Sequence, residues 1–181
     1  KVRLNYSVNS HWKIYWYGGK GFHSNDTRVA VEKEGKEVVT PAWGSDLGTI
    51  VKLGEKALLQ SALWYLYMQQ EFIYVGDEGI VEPSGRTQRL GLALSLRYQP
   101  TQRLYFDIDL NLSRPKAIDE AQGEDFLPLA PIFTSTGGVS YKTPNGWNGS
   151  LRYRWMGNRP ANEDYSTVAR GYFITDLSVN Y

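Results

Sequence analysis

The sequence predicts an all-β fold, an antiparallel up-and-down sheet of the kind that forms transmembrane β-barrels. Three observations lead to this prediction. Long segments alternate strictly between apolar and polar residues, which is the period of a β-strand. Short turns recur near residues 10, 55, 101 and 145, with longer polar segments between them. Several alternating segments run about ten residues, the length of a tilted membrane-spanning strand, whereas soluble strands average about five or six.

The clearest alternation forms a hairpin between Arg89 and Ser113, with its turn at residues 100–102. Successive side chains of a strand point to opposite faces, so the hairpin has one apolar and one polar face. The predicted lipid-facing residues are Leu90, Leu92, Leu94, Leu96, Leu104, Phe106, Ile108 and Leu110. The predicted lumen-facing residues are Arg97, Asp107 and Asp109, together with Arg152 and Arg154 of a later strand.

Alternation by itself does not say what the apolar face contacts. In an outer-membrane barrel the apolar face meets lipid, and in a soluble two-sheet sandwich it packs on a second sheet. The strand length favours the barrel, and the sandwich stays as the alternative. For the polar face, we expect Arg97 to lie across from Tyr105 and diagonal to Asp107. These side chains either hold a plug and line a ligand path, or form simple cross-strand ion pairs in a wet lumen.

The other elements follow in chain order. A first hairpin turns at residues 9–11, and a polar, glycine-bearing loop is predicted from residue 18 to residue 45. A second hairpin has strands at residues 46–53 and 57–74, and a loop at residues 76–88 precedes the central hairpin. After a loop at residues 114–131, a hairpin turns at Pro144, Asn145 and Gly146. A loop at residues 157–171 then leads to a last strand at residues 172–181.

This count gives about nine strands. Single-chain bacterial barrels have an even number of strands, and an open edge at membrane depth leaves backbone groups unpaired. We therefore expect these residues to be one segment of a larger barrel, whose missing strands or another chain cover the open edges.

Composition excludes several functions. The formal net charge is +1, so electrostatics gives no case for binding nucleic acid. With no cysteine and two histidines, we expect no disulfide framework, no cysteine nucleophile and no metal site made of protein side chains. No phosphate-binding loop or nucleophile elbow is present, so we expect no enzymatic activity and no cofactor. Aromatic residues make up 14% of the chain, and such residues are enriched at membrane–water boundaries.

Five stretches carry a resemblance to a known family. They are GKGFHSNDTR, ALWYLYMQQEFIYVGDEG, EPSGRTQRLGLALSLRYQPTQRLYFDIDLNLSRP, LPLAPIFTSTGGVSYKT and SLRYRWMGNRPANEDYSTVARGYFITDLSVNY. In order and spacing they resemble the barrel domain of TonB-dependent outer-membrane receptors over nearly the whole chain. Residues 1–181 are then part of that barrel domain, without its plug domain.

The resemblance implies a barrel of about 22 strands around a plug, in the outer membrane of a Gram-negative type of cell. It implies energised uptake of a small ligand, such as a siderophore-like metal chelate. The implied partners are outer-membrane lipid, the missing strands and plug of the same receptor, a TonB-type energising protein and the ligand. A passive pore or a structural barrel segment is the alternative function.

Candidate ligand-binding residues lie in the predicted outside loops, because binding residues often sit on loops held by a rigid scaffold. They are His23, Asn25, Asp26, Arg28, Arg86, Arg159, Glu163 and Asp164. The alternative is that the Asn and Asp residues only form turns, through hydrogen bonds to nearby backbone groups.

Overall fold

The structure is a computed structural model that describes residues 1–24, 39–75, 80–83 and 85–181. Thirteen strands occur in these ranges. They are β1 Val2–Ser7, β2 Trp12–Ser24, β3 Val39–Leu53, β4 Ala57–Met68, β5 Phe72–Val75, β6 Ile80–Pro83, β7 Thr87–Thr101, β8 Leu104–Ala117, β9 Phe133–Lys142, β10 Asn148–Met156, β11 Arg159–Pro160, β12 Val168–Ala169 and β13 Tyr172–Asn180.

Nine of these strands form one antiparallel sheet in the order β1-β2-β3-β4-β7-β8-β9-β10-β13. Each strand pairs with the next main strand along the chain, so the up-and-down topology and the predicted number of nine strands are confirmed. The sheet is open, with β1 and β13 at its two edges. Two small hairpins, β5-β6 and β11-β12, lie outside it. Among the described residues, no helix is long and apolar enough to cross a membrane.

All short turns lie at one end of the sheet, which we call the turn end, and the longer connections lie at the other, the loop end. The turns joining β3 to β4 and β9 to β10 contain Gly54 and Gly146, with φ of 65° and 92°. Left-handed backbone of this kind costs glycine little, because it has no Cβ. These two positions therefore suit tight reversals between long strands.

One face of the sheet is apolar and largely uncovered. In the described residues the buried hydrophobic side chains are only Ala42, Met68, Ala117 and Leu127. By contrast Leu63, Leu92 and Leu112 each expose about half of their surface. No second sheet packs against this face in the part of the chain that the structure describes, as a soluble sandwich would require.

Aromatic side chains form two belts on the apolar face, separated by a mainly aliphatic band that also contains Trp16 and Tyr153. The turn-end belt consists of Tyr6, Trp12, Tyr98, Phe106, Tyr141, Trp147 and Tyr181. The loop-end belt consists of Phe22, Trp43, Tyr65, Tyr67, Phe133, Trp155 and Phe173. Neighbouring rings touch within each belt: Trp147 and Tyr181 have centroids 4.8 Å apart, and Phe133 and Trp155 5.1 Å apart.

The predicted loop at residues 18–45 was wrong at both ends. Strand β2 continues to Ser24 and β3 begins at Val39, so residues 18–24 pair with residues 39–45. Three glycines in β2 suggested a loop. In the sheet, however, Gly18 lies under the ring of Trp16, where a Cβ would come within 2.8 Å of the ring. A neighbouring aromatic ring thus fills the space that a glycine leaves on the strand.

The strand predicted at residues 57–74 also differs from the structure. Strand β4 ends at Met68, and Phe72–Val75 forms β5, which pairs with β6. The apolar composition of residues 57–74 hides this break, because the small hairpin β5-β6 is itself rich in β-branched and aromatic residues.

Two other glycines, both on the polar face, are covered by aromatic rings of a neighbouring strand. Tyr15 lies over Gly48, directly opposite it in β3, and Trp64 of β4 lies over Gly91 of β7. A Cβ at position 91 would lie 2.3 Å from the Trp64 ring and 2.7 Å from the carbonyl oxygen of Leu112. The second contact is with backbone, which cannot rotate away.

We expect Gly91→Ala in the intact protein to lower the free energy of unfolding by about 1–3 kcal/mol, because the methyl group overpacks a filled site. Urea unfolding from lipid vesicles measures this. Gly21→Ala is the matched control, because a Cβ at Gly21 meets nothing within 4 Å. Equal stability of the two variants would contradict the packing of Trp64 on Gly91.

Candidate functional site

The polar face carries a row of charged residues across five neighbouring strands. Successive register partners in this row are Arg97, Asp107, Gly138, Arg152 and Asp176. The charges alternate in sign on either side of the glycine. Directly paired residues of neighbouring strands point to the same face, so all of these positions lie on one side of the sheet.

Three ion pairs involve this row: one lies within it, and two join it to a residue two positions along a strand. Arg97 donates from Nη2 to both oxygens of Asp109 at 2.9 Å. Arg152 donates to both oxygens of Asp107, at 2.8 Å for Nη2 to Oδ2. Further along the sheet, Nη2 of Arg154 lies 3.3 Å from Asp176. The predicted lumen-facing residues therefore share one face. Four of them form two ion pairs with one another, and Arg154 pairs with Asp176.

The pair between Arg152 and Asp107 spans a whole strand, because β9 lies between β10 and β8. Gly138 occupies the intervening position, and a Cβ there would come within 2.9 Å of Arg152 Cδ. The absence of a side chain at Gly138 lets the guanidinium reach across. The carboxylate of Asp107 is buried, with 6% of its side chain exposed, whereas Arg152 is 42% exposed.

The expected register of the central hairpin was wrong. Arg97 pairs directly with Asp107 rather than with Tyr105, and its ion pair is with Asp109. The register shifts between Tyr98 and Thr101, which the simple turn at residues 100–102 did not anticipate. Such an irregularity next to a turn displaces every downstream pairing on that strand.

A shallow cavity of about 270 Å³ lies near the middle of the polar face. Its polar lining includes Tyr15, Gln60, Asp109, Asn111 and Thr136. The side-chain oxygen of Asn111 accepts a hydrogen bond of 3.0 Å from Trp64 Nε1. This part of the wall therefore presents hydroxyl, amide and carboxylate groups to whatever occupies the space beside it.

At the loop end, Glu71 joins the connection after β4 to the start of β7. Its carboxylate accepts hydrogen bonds from Arg89 Nη2 at 2.7 and 2.9 Å and from the Thr87 hydroxyl at 2.8 Å. The side chains of Glu71 and Arg89 are both mostly buried. Glu71 was missed from the sequence, because it lay inside the stretch predicted as one long strand.

The connection after β8 and the connection after β10 dock on each other at the loop end. The backbone N–H of Phe126 donates to the carbonyl of Glu163 at 3.0 Å, and that of Leu129 to Pro160 at 2.8 Å. The rings of Phe126 and Tyr165 have centroids 5.2 Å apart. We call this unit, residues 118–132 with residues 157–171, the docked loop pair.

Each half of the docked loop pair holds one residue in left-handed backbone, Leu129 with φ 61° and Tyr165 with φ 58°. These are the described non-glycine residues with positive φ. Such conformations cost about 1–3 kcal/mol and persist only where the surroundings enforce them. Lys116 secures one half of the unit through its ion pair with Asp125, and this contact lowers the pKa of that carboxyl group.

The predicted ligand-binding residues are dispersed. His23 lies in β2, opposite Thr40, rather than in a loop. Arg86 pairs with Asp119, and this contact lowers the pKa of Asp119 and raises the pKa of Arg86. Asn25, Asp26 and Arg28 lie outside the described residues.

Three further candidates belong to the docked loop pair. Asp164 accepts a hydrogen bond of 2.9 Å from the Ser166 backbone N–H, which lowers the pKa of Asp164 and is typical of a local turn. Glu163 contributes its carbonyl to the docking contact with Phe126. Arg159 begins β11, and its buried Nη1 finds no hydrogen-bond partner among the described residues.

No sequence pattern singled out Phe126, Tyr165 or Leu127. The rings of Phe126 and Tyr165 join the two halves of the docked loop pair. Leu127 is 2% exposed. In the described ranges no group of three or more His, Asp or Glu side chains could hold a metal ion. The predicted lipid-facing residues from Leu90 to Leu110 all lie on the apolar face.

No protein-family model matches the sequence, and no curated protein matches it. Solved structures match it along almost its whole length. The ferric yersiniabactin uptake receptor FyuA from Yersinia pestis aligns with a TM-score of 0.74 at 17% identity, over 98% of this chain and 28% of that receptor. The ferric citrate transporter FecA aligns with a TM-score of 0.72 at 19% identity, over 98% of this chain and 30% of that protein.

The copper transporter OprC aligns with a TM-score of 0.71 at 14% identity, over 97% of this chain and 29% of that chain. The chain thus spans under a third of the length of the proteins it matches. Each of these three neighbours is an uptake receptor or a transporter. The likenesses confirm, at the level of the fold, the resemblance to a segment of the barrel of TonB-dependent outer-membrane receptors.

We expect Arg152→Met in the intact protein to lower the free energy of unfolding by about 2 kcal/mol, because it leaves the buried Asp107 carboxylate without a counter-charge. Arg154→Met is the matched control. Both members of its pair with Asp176 are more than half exposed, so we expect a loss below about 1 kcal/mol. Urea unfolding from lipid vesicles compares the two, and equal losses would contradict the larger contribution expected from the ion pair of the buried Asp107.

Proposed function

We propose that this chain forms part of the barrel wall of a TonB-dependent outer-membrane receptor that imports a small ligand, such as a metal chelate, at the expense of energy. The observation that carries the proposal is the separation of the two faces of an open, nine-stranded, up-and-down sheet. One face is apolar with two aromatic belts, and the other holds charges paired with one another.

In this proposal the apolar face contacts lipid. The aliphatic residues between the belts lie in the hydrocarbon layer, and the belts lie at its two boundaries, where amphipathic rings are favoured. The residues from Leu90 to Leu96 and from Leu104 to Leu110 that share this face are then the lipid-facing residues. The localisation is the outer membrane, with the loop end outside the cell and the turn end on the periplasmic side.

The polar face then lines the lumen. Arg97, Asp107, Asp109, Arg152 and Arg154 lie on the wall that faces a plug, which we assign to another part of the same receptor. An energising protein of the TonB type acts on that plug. The remaining strands of the barrel pair with the open edges of β1 and β13, because unpaired backbone groups at membrane depth are costly.

For ligand capture we propose the docked loop pair at the loop end. Of its two segments, which brace each other, residues 157–171 carry Arg159, Glu163 and Asp164. Arg86 lies on the connection that leads into β7. Binding residues held on such rigid loops lose less freedom when a ligand binds. A metal would arrive already chelated, so the protein needs no dedicated ligand set of its own.

The uptake experiment uses a Gram-negative strain that expresses the intact protein as its route for ferric chelates. The probes are ferric citrate, ferric yersiniabactin and a ferric catecholate, each with radioactive iron. We expect accumulation of at least one probe that stops when a protonophore collapses the inner-membrane potential. Accumulation that continues unchanged would instead indicate a passive pore, and accumulation of none of the probes would contradict metal-chelate import.

We expect Leu94→Arg to reduce the amount of folded protein in the outer membrane, because a charge at the bilayer midplane costs about 2–4 kcal/mol. The neighbouring Ser95→Arg is the matched control, since Ser95 points to the polar face and pairs with Asp109. Heat-modifiable migration on gels measures the folded fraction of each variant. Normal insertion of Leu94→Arg, or an equal loss for both variants, would show that the faces are wrongly assigned.

A further inference from the structure

The apolar face is almost free of charge, and its few charges are of one sign and at one end. In the described strands of the nine-stranded sheet, the positions on this face include three charged side chains, Lys20, Arg114 and Lys116. All three are cations, and all three lie at the loop end. We call them the basic rim. The polar face, by contrast, carries both cations and aspartates along its length.

The basic rim is aligned by the register of five strands. One row of directly paired residues runs across β2, β3, β4, β7 and β8, and consists of Lys20, Trp43, Tyr67, Gln88 and Lys116. The adjacent row, one step towards the turn end, contains Tyr65, Leu90 and Arg114. Cations therefore lie at both ends of a patch formed by three residues of the loop-end belt, Trp43, Tyr65 and Tyr67.

The members of these rows contact one another. Lys20 Nζ lies 5.2 Å from the centroid of the Trp43 ring, and the Trp43 and Tyr67 rings are 5.4 Å apart. The Tyr65 hydroxyl donates a hydrogen bond of 3.2 Å to the Gln88 side-chain oxygen. The Tyr65 hydroxyl thus lies beside Gln88, in the row that contains Lys20 and Lys116.

The two ends of the basic rim differ in what they can still bind. Lys116 forms an ion pair with Asp125, so its charge is already balanced. Lys20 and Arg114 are exposed on the apolar face. Strands lie about 4.8 Å apart, so Lys20 and Lys116 are separated by about 19 Å along the row. One phosphate cannot contact both ends of a row of this width.

We propose that the basic rim, with the aromatic patch between its ends, binds phosphate-bearing lipid headgroups in the leaflet next to the long loops. Long cationic side chains at the end of an apolar surface place their charge at headgroup level, while their stems cover apolar surface. Each such cation strengthens the attraction to an anionic lipid surface. The proposal rests on the proposed function, which places the apolar face in a membrane. It adds the class of lipid headgroup that this face binds.

A lipid fits better than a free phosphate ion because of the surface around the cations. The basic rim borders rings and leucines on a face that is exposed and apolar, with Leu90 directly beside Arg114 in the register. Such a surface contacts the acyl and glycerol part of a lipid, while the cations contact its phosphate. A free phosphate would use only the charges.

The experiment measures competition between two lipids for the intact protein in detergent, by native mass spectrometry at low ionic strength. The lipids are phosphatidylglycerol and phosphatidylcholine with identical acyl chains. We expect the unmodified protein to retain phosphatidylglycerol in preference. Because each cation near the surface contributes about a fivefold change in binding, Lys20→Gln with Arg114→Gln should reduce this preference about 25-fold.

The matched control is Lys13→Gln with Lys52→Gln. These exposed lysines lie in the same sheet, on its polar face, so the lipid preference should stay unchanged. Lys20→Glu with Arg114→Glu should reverse the preference towards phosphatidylcholine. Heat-modifiable migration confirms that each variant is folded in its barrel before the lipids are added.

Three results would overturn the proposal. They are an unmodified protein without preference, a Lys20→Gln/Arg114→Gln variant that keeps the preference, and displacement of phosphatidylglycerol by millimolar inorganic phosphate. The last result would mean that the site binds the free ion. If the protein inserts into membranes but shows no lipid preference, only this inference fails. If it does not insert at all, the proposed function fails.

Discussion

The pairing of backbone hydrogen-bonding groups is the constraint on which the rest of this structure depends. A strand cannot satisfy its own N–H and C=O groups, so every strand needs a neighbour on each side. Seven strands of the main sheet have two neighbours, and β1 and β13 have one each. Because consecutive strands pair antiparallel, the chain needs only short turns at one end, and all insertions gather at the other. The loop end is therefore the part of the sheet that carries irregular, specialised structure.

Once the backbone is paired in this way, the period of two decides where each side chain goes. Leucines and rings go to one face, and arginines and aspartates go to the other. Glycines leave space on the polar face that side chains of neighbouring strands occupy. Gly48 and Gly91 let aromatic rings lie flat on the sheet, and Gly138 lets Arg152 reach Asp107 across an intervening strand. The same residue type that weakens an isolated strand thus organises packing and charge on the polar face.

The number of strands, their antiparallel order and the faces of the central hairpin could be predicted, because a period-two pattern from Leu90 to Leu110 leaves little choice. The limits of β2 and β3 could not be predicted, because glycines and polar residues occur both in loops and in strands. In β2 the space beside Gly18 is filled by the ring of Trp16. The partner of Arg97 was missed because the register shift near the turn is not visible in the sequence. Glu71, Phe126 and Tyr165 were missed because their contacts form only when separate connections fold together.

The paired charges on the polar face have a consequence for any solute that passes the wall. Arg97, Arg152 and Arg154 are balanced by Asp109, Asp107 and Asp176 within a few ångström. The field of such closely spaced opposite charges declines much faster with distance than the field of single charges, and salt screens it further. A charged solute a few strand spacings away therefore experiences almost no net attraction or repulsion from this stripe. In the proposed receptor, discrimination between anionic and cationic cargo would then fall to other surfaces, and this part of the sheet would act as a neutral, hydrophilic boundary.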